Sequence, residues 1–425
     1  MKNLYQSAAL ACLMLLMGCG STPGSGGTSA SDAPNDSLPS LLGIFITPKN
    51  ARLHSGETLN YQATASYNDG ASTDVTRLMS WASTNPGLAS IGASTGLATA
   101  ATVSTAVPAQ TTNISGFNTG YGEVTLLTVV PAIGTVQQLA SPLLAGSRPL
   151  LVALGPDGNL WASDSNGTRL LKITPAGVFT QFSAGISGQP AGLCPGPDGN
   201  VWFCESPARL ARITPAGSVT EFSAGLTSAP QSICAGPDGN LWFTEPGADR
   251  VGRITPGGSI TEFSAGISPG AAPAQICAGP DGNLWFTEPG LNRVARIDTA
   301  GTVTELASGI TAGSAPQGIT AGPDGNLWFT EFNGNRIGRI TPAAVVTEFS
   351  SGLTVPAGPF AICAGPDGNL WFTESTGNRI GRITVTGTVS EFGAGLAGAS
   401  GICLGPDSNL WFAEANLGGL GVIVP

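Results

Sequence analysis

The pentapeptide Gly-Pro-Asp-Gly-Asn opens at Gly155, Gly196, Gly236, Gly279, Gly322 and Gly365, and returns with Ser408 in place of its second glycine at Gly405. Its starts are 40 to 43 residues apart. A period of that size means that each copy is one supersecondary unit whose apolar faces are covered only by its neighbours. Proline at the second turn position and glycine at the fourth suit a type I turn that closes a hairpin. In the copy around Gly236, strands are expected over residues 232–235, 241–245, 251–255 and 260–263, with turns between them. Four antiparallel strands in about forty residues make one propeller blade, so seven copies predict an all-β, seven-bladed ring.

The last copy runs out at Pro425 after its third strand. Gly134–Leu139, upstream of the first motif, matches Gly301–Leu306, the fourth strand of another copy. Both chain ends then complete one blade and leave no exposed sheet edge, which places the ring at residues 132–425. Each copy continues with Trp (Trp161, Trp202, Trp242, Trp285, Trp328, Trp371, Trp411), and these are read as core. Only Trp81 lies outside the set.

Charged residues make up 10% of the chain, with 61 Gly and 32 Pro, a composition that disfavours long helices. Lys+Arg 17 against Asp+Glu 27 gives 17 − 27 = −10, which argues against an electrostatic grip on nucleic acid or anionic lipid. No later stretch is apolar enough to span a bilayer. Residues 1–19 combine Lys2, the apolar run Ala8–Met17 and Leu16-Met17-Gly18-Cys19. They resemble a bacterial lipoprotein signal, with Cys19 as the lipidated first residue of the mature chain; an ordinary cleaved signal is the alternative. Residues 20–40 are Gly, Ser, Thr, Pro, Ala and Asp rich and are expected to form a flexible linker of roughly 25 Å. Export with a lipid anchor is therefore expected, at the outer membrane or cell surface, with the periplasmic face as an alternative.

Residues 41–131 read as short alternating strands, which argues for a sandwich. Ser55–Glu57, Asn68-Asp69-Gly70, Asp74-Val75-Thr76, Trp81 followed by Ser83–Pro86, and Gly96-Leu97 together resemble the group 2 bacterial immunoglobulin-like domain. That resemblance implies a spacer or adhesion module, with an Ala/Thr-rich insertion near 100–120 as a departure. Trp81 is read as its core tryptophan.

The repeat Gly-Pro-Asp-Gly-Asn-Leu-Trp-Phe-Thr-Glu, continuing as at Gly377–Thr384 and ending in Thr-Glu-Phe, resembles the streptogramin B (virginiamycin B) lyase family and, more distantly, NHL-type propellers that bind macromolecules. The resemblance covers essentially the whole ring. It implies Mg-dependent elimination that opens a cyclic depsipeptide, with histidine as general base. In that family the functional histidines follow the proline that starts a blade, and a functional glutamate ends the second strand. The matching post-proline positions here are Leu150, Ala191, Gln231, Ala274, Gln317, Phe360 and Ser400, the last following Ala399 in place of proline. None is histidine, and the only histidine, His54, lies outside the ring. Abstracting a proton beside a carbonyl near neutral pH needs a base that Phe360 and Ser400 do not supply. The expectation is a family fold without the family chemistry, no catalytic residues, and no cofactor unless lyase activity, and with it Mg, is retained.

One acid recurs in every blade: Asp164, Glu205, Glu245, Glu288, Glu331, Glu374 and Glu414. It reads either as a collar for a cation, with Glu374 and Glu414 the metal candidates, or as structural charges paired with Arg169, Arg209, Arg250, Arg293, Arg336 and Arg379. The second reading is the simpler. Gln231, Gln317, Phe360 and Ser400, which vary among blades at one mouth, are the candidate ligand contacts. Cys194, Cys234, Cys277, Cys363 and Cys403 occupy one repeat position and read as small buried residues. Cys204, on the strand paired with that of Cys194, leaves an intrablade disulfide open. Phosphate-loop, nucleophile-elbow and zinc motifs do not occur.

The sequence thus predicts an exported, lipid-anchored monomer whose propeller binds an envelope protein, peptide or glycan without lyase catalysis. A lyase-type enzyme with an altered site and a structural scaffold are the alternatives.

Overall fold

The computed structural model describes residues 39–104, 110–118, 120–139, 146–393 and 395–425. The expected signal and Cys19, and most of the linker, lie outside them. Two compact units divide the chain near residue 132.

In the first unit, Leu41–Thr47, Gln62–Tyr67 and Ser72–Asp74 form one sheet, and Thr58–Asn60, Leu97–Ala100 and Ala89–Ile91 a second. A third takes Ala51–His54, Tyr121–Val130, Gln110–Asn118 and Ser80–Ser83. Its pairings are antiparallel except that Ala51–His54 runs parallel to Tyr121–Val130. The segment that departs from the immunoglobulin-like pattern is in part this sheet's long hairpin. Ile46, Tyr61, Trp81, Ile114, Leu127 and Val129 share one core. Trp81 donates its indole N–H to the Thr76 carbonyl oxygen at 3.0 Å, so its one polar atom is satisfied inside that core.

The second unit holds seven four-stranded sheets among the described residues. One blade consists of Gln189–Pro195, Val201–Ser206, Arg209–Ile213 and Val219–Phe222, paired in that order, innermost first. Counting the blade that opens with Pro149–Leu154 as the first, this is blade two. Blade seven pairs Ala399–Leu404, Leu410–Glu414 and Gly419–Ile423 with Val136–Leu139, so the segment before the first motif closes the ring. The all-β propeller expected from the repeat is present.

The motif turn shows why its residues recur. In blade two, Asp198 accepts the Trp202 indole N–H at 2.9 Å and the Asn200 backbone and side-chain N–H groups at 3.2 and 2.8 Å. A Cβ on Gly196 would sit 2.3 Å from the Trp202 ring, and Gly199 has φ +77°, a left-handed conformation that glycine adopts freely. Burial pushes the Asp198 carboxyl up, but the bonds from Asn200 and Trp202 outweigh it and hold the group below its ordinary range. The indole then stacks on Phe222 at 5.3 Å, and Arg212 lies 5.6 Å above it. Arg212 also donates to the Pro256 carbonyl of blade three at 2.9 Å, so one layer packs the blade and ties it to its neighbour. All five residues of strands such as Leu241–Glu245 are buried, because blades cover both faces of one another.

Candidate functional site at the mouth of the ring

The innermost strands begin at one mouth, and their first residues do not alternate regularly. Register shifts separate Pro149 from Val152, Pro190 from Leu193, Pro316 from Ile319, Pro359 from Ile362 and Ala399 from Ile402. Such a bulge sets two residues of one strand against one of its partner, and both residues after the proline are re-aimed. At the same position of blades three to six a threonine hydroxyl fixes the backbone. Thr244, Thr287, Thr330 and Thr373 donate to the carbonyl oxygens of Ala274, Gln317, Phe360 and Ser400, each in the next blade, at 2.6 to 2.8 Å. Each hydroxyl also accepts a backbone N–H from its own blade, so the mouth residues are held by hydrogen bonds across these four junctions.

A cavity of about 50 Å³ lies at this mouth, lined by residues that include Gln231, Ser232, Gln275, Gln317 and Phe360. Phe360 packs edge-on against Phe332, with ring centres 6.5 Å apart. No lining residue is ionisable. The wall offers amide and hydroxyl groups around an aromatic face, chemistry suited to uncharged polar groups such as peptide amides or sugar hydroxyls. Ligand pockets that enclose a small molecule run to roughly 300–1,000 Å³, so this cavity takes a projecting group and leaves the rest of a ligand on the rim.

Three of the four sequence candidates, Gln231, Gln317 and Phe360, therefore meet at one cavity. Ser400 is not in that lining; it is buried, with its hydroxyl oxygen 3.4 Å from the Ala413 carbonyl oxygen. Ser232 and Gln275, the next residues along, also line the cavity; in these two blades the regular strand begins only at Ile233 and Ile276, so a reading of strict alternation from the proline onward turns them away.

The collar acids are buried behind the wall. Arg169 and Arg379 bind Asp164 and Glu374 at 2.5 and 3.0 Å. In blades two to four the expected pairing fails. Arg209, Arg250 and Arg293 bind Glu221, Glu262 and Glu305 on the fourth strands, and Arg336 stands between Glu331 and Glu348 at 4.0 and 3.9 Å. The third-strand arginine has an acid on either side, and the fourth-strand one is the less buried and cheaper to leave charged. Glu414 has neither partner; it accepts from the Gln138 amide at 3.0 Å and the Ala397 N–H at 3.3 Å. Burial pushes the Glu374 carboxyl up to about 7.

The donor set does not fit a magnesium ion. Glu374 and Glu414 are fully buried and engaged by Arg379 and Gln138, the cavity wall holds no carboxylate or imidazole, and no group of three or more potential ligands occurs among the described residues. All six cysteines of the ring are free thiols, Cys194 and Cys204 included.

Seven blades closed by strands from both ends, with a cavity where the inner strands begin, define a seven-bladed β-propeller. The chain belongs to the virginiamycin B lyase family, whose model matches residues 136–354 and 351–425, more than half of its length. A solved streptogramin B lyase is 32% identical with a TM-score of 0.64, covering 68% of this chain and 97% of the lyase. A catalytically inactive histidine-to-alanine variant of the Staphylococcus aureus virginiamycin B lyase, solved with quinupristin, is 35% identical with a TM-score of 0.64, covering 68% and 99%. The WD40 propeller domain of Doa1, at 8% identity and a TM-score of 0.56, shares the fold alone, covering 69% and 96%. No curated protein matches.

Proposed function

We propose that this is an exported, lipid-anchored envelope protein whose propeller mouth binds a peptide or glycan and does not catalyse elimination. The observation that carries the reading is a mouth of amides, hydroxyl and aromatic ring in a ring whose sequence contains no histidine. Replacing one histidine inactivates the staphylococcal relative, and here the post-proline positions offer none. The carboxyl groups that burial pushes toward neutral stand behind the wall, out of reach of a bound substrate. What the fold retains is a rigid set of side chains around a small cavity, which suits recognition. The first unit serves as an immunoglobulin-like spacer, and Cys19 as the anchor.

Capture of envelope peptides and glycans by the full chain, compared with Gln231→Ala/Gln317→Ala, tests the binding reading. A captured component lost at least tenfold in the double variant supports it, and equal capture contradicts it. Fatty-acid labelling in a bacterial host is expected for the wild type and absent for Cys19→Ala; unlabelled wild type contradicts the anchor.

A further inference from the structure

Blades two to five repeat a side-chain arrangement that mouth binding does not use. The second strand of each carries Glu205, Glu245, Glu288 or Glu331, and the fourth strand Glu221, Glu262, Glu305 or Glu348. Their surroundings are opposite. The fourth-strand carboxylates are well supplied with donors. Glu221 accepts from the Ser187 N–H and hydroxyl at 2.9 and 2.6 Å with Arg209 at 3.7 Å, and Glu262 from Thr227 at 2.8 and 3.1 Å with Arg250 at 2.6 Å. Glu305 is bound by Ser268 and Arg293, and Glu348 by Thr311 with Arg336 at 3.9 Å.

The second-strand carboxyls are fully buried and nearly empty-handed. Among the described residues, both oxygens of Glu205, Glu288 and Glu331, and one of Glu245, find no hydrogen-bond donor; the other Glu245 oxygen takes the Ser228 N–H at 3.0 Å. An ionised carboxylate in that position is strongly disfavoured, whereas an un-ionised one has a proton to give to the carboxylate beside it. The arginine already balances the fourth-strand charge, which leaves no net negative site for a metal cation.

We propose that each of these four pairs holds one proton in mild acid, carried by the second-strand glutamate beside its ionised fourth-strand partner, so that the folded ring is loaded with protons its unfolded chain lacks. Burial, with the Glu221 charge second, pushes Glu205 up to about 8 against the pull of Arg209. Burial, then Glu305 and Asp249, pushes Glu288 up to about 8 against Arg293. Glu331 is pushed to about 7, burial and Glu348 outweighing Ser314 and Arg336, and Glu245 rises by burial and Glu262 against Ser228 and Thr227. The Cys204 thiol beside Glu205 and Glu245 stays neutral, since burial raises it far above its ordinary value.

These folded values lie above the ordinary 4.5, so stability is fully present below about 4.5, falls as pH climbs to about 8 and levels beyond.

Thermal melts of the full chain between about pH 5 and 9 test the proposal, with Glu205→Gln/Glu288→Gln as the comparison. Wild type is expected to lose stability steadily up to about pH 8, and the double variant to show that slope reduced by two protons. The two proteins differ only at the substituted positions, so the difference between their slopes reports those two glutamates. Infrared spectra of the wild type at about pH 6 should show the carbonyl stretch of un-ionised carboxyl groups, fading above about pH 9. Should the double variant fail to fold, Glu221→Gln, which removes an accepting anion, is expected to flatten the slope by up to one proton. A wild-type midpoint that is flat or rising across the window, an unchanged slope in a folded variant, or no un-ionised band overturns the proposal.

Discussion

The motif aspartate takes the indole N–H of its tryptophan at 2.9 to 3.1 Å in every copy, from Asp157 with Trp161 to Asp407 with Trp411. Removing it orphans a buried indole and frees the turn asparagine. Asp324→Ala is expected to destabilise the ring by about 1–3 kcal/mol in urea unfolding, and a change below about 0.5 kcal/mol would contradict that role. This use of the aspartate was not legible beforehand, because turn chemistry alone accounts for Pro and Gly but not for where an acid points. Gln231, Gln317 and Phe360 were legible for the opposite reason: they vary where the rest of the repeat is constant. The third-strand arginines misled, since a one-dimensional pattern does not choose between two acids when a side chain stands between both.

The blade is stable only through its neighbours, and the threonine hydroxyls are part of that junction. Thr287 donates to the Gln317 carbonyl oxygen at 2.7 Å and accepts the Gln275 N–H at 3.1 Å. Thr287→Val, similar in shape, leaves both groups without a partner and is expected to cost about 1–3 kcal/mol in the same unfolding experiment; a neutral effect would show that the stitch is incidental. Closure of the ring rests on Val136–Leu139 against Gly419–Ile423. A chain starting at Ile133 should remain dispersed, whereas one starting at Ser147 leaves that strand open and should aggregate, as read by light scattering. Equal dispersion of the two would contradict the closure. Blade number and closure could be read from the sequence because a repeat reports its own period; the bulges could not, since the extra residue leaves no mark in a pattern of alternating strands.

For the whole molecule, two opposed sets of carboxyls shape the response to pH. Asp157, Asp198, Asp238, Asp281 and Asp324 are held below their ordinary 3.8, because hydrogen bonds outweigh burial, so their contribution is present above about 3.8 and lost in stronger acid. The buried glutamates weaken the fold from about 4.5 upward. Stability is therefore expected to peak between about pH 4 and 5, and a calorimetric maximum near pH 7 would contradict this balance. No helix among the described residues is long and apolar enough to cross a membrane. The central claim concerns the mouth, where a lyase-family ring presents amides and a phenyl ring in place of imidazole. Incubating the full chain with a streptogramin B and Mg²⁺, and following the antibiotic by mass spectrometry, should leave the cyclic depsipeptide intact. Accumulation of the linear product at the pace of a genuine lyase would contradict the account.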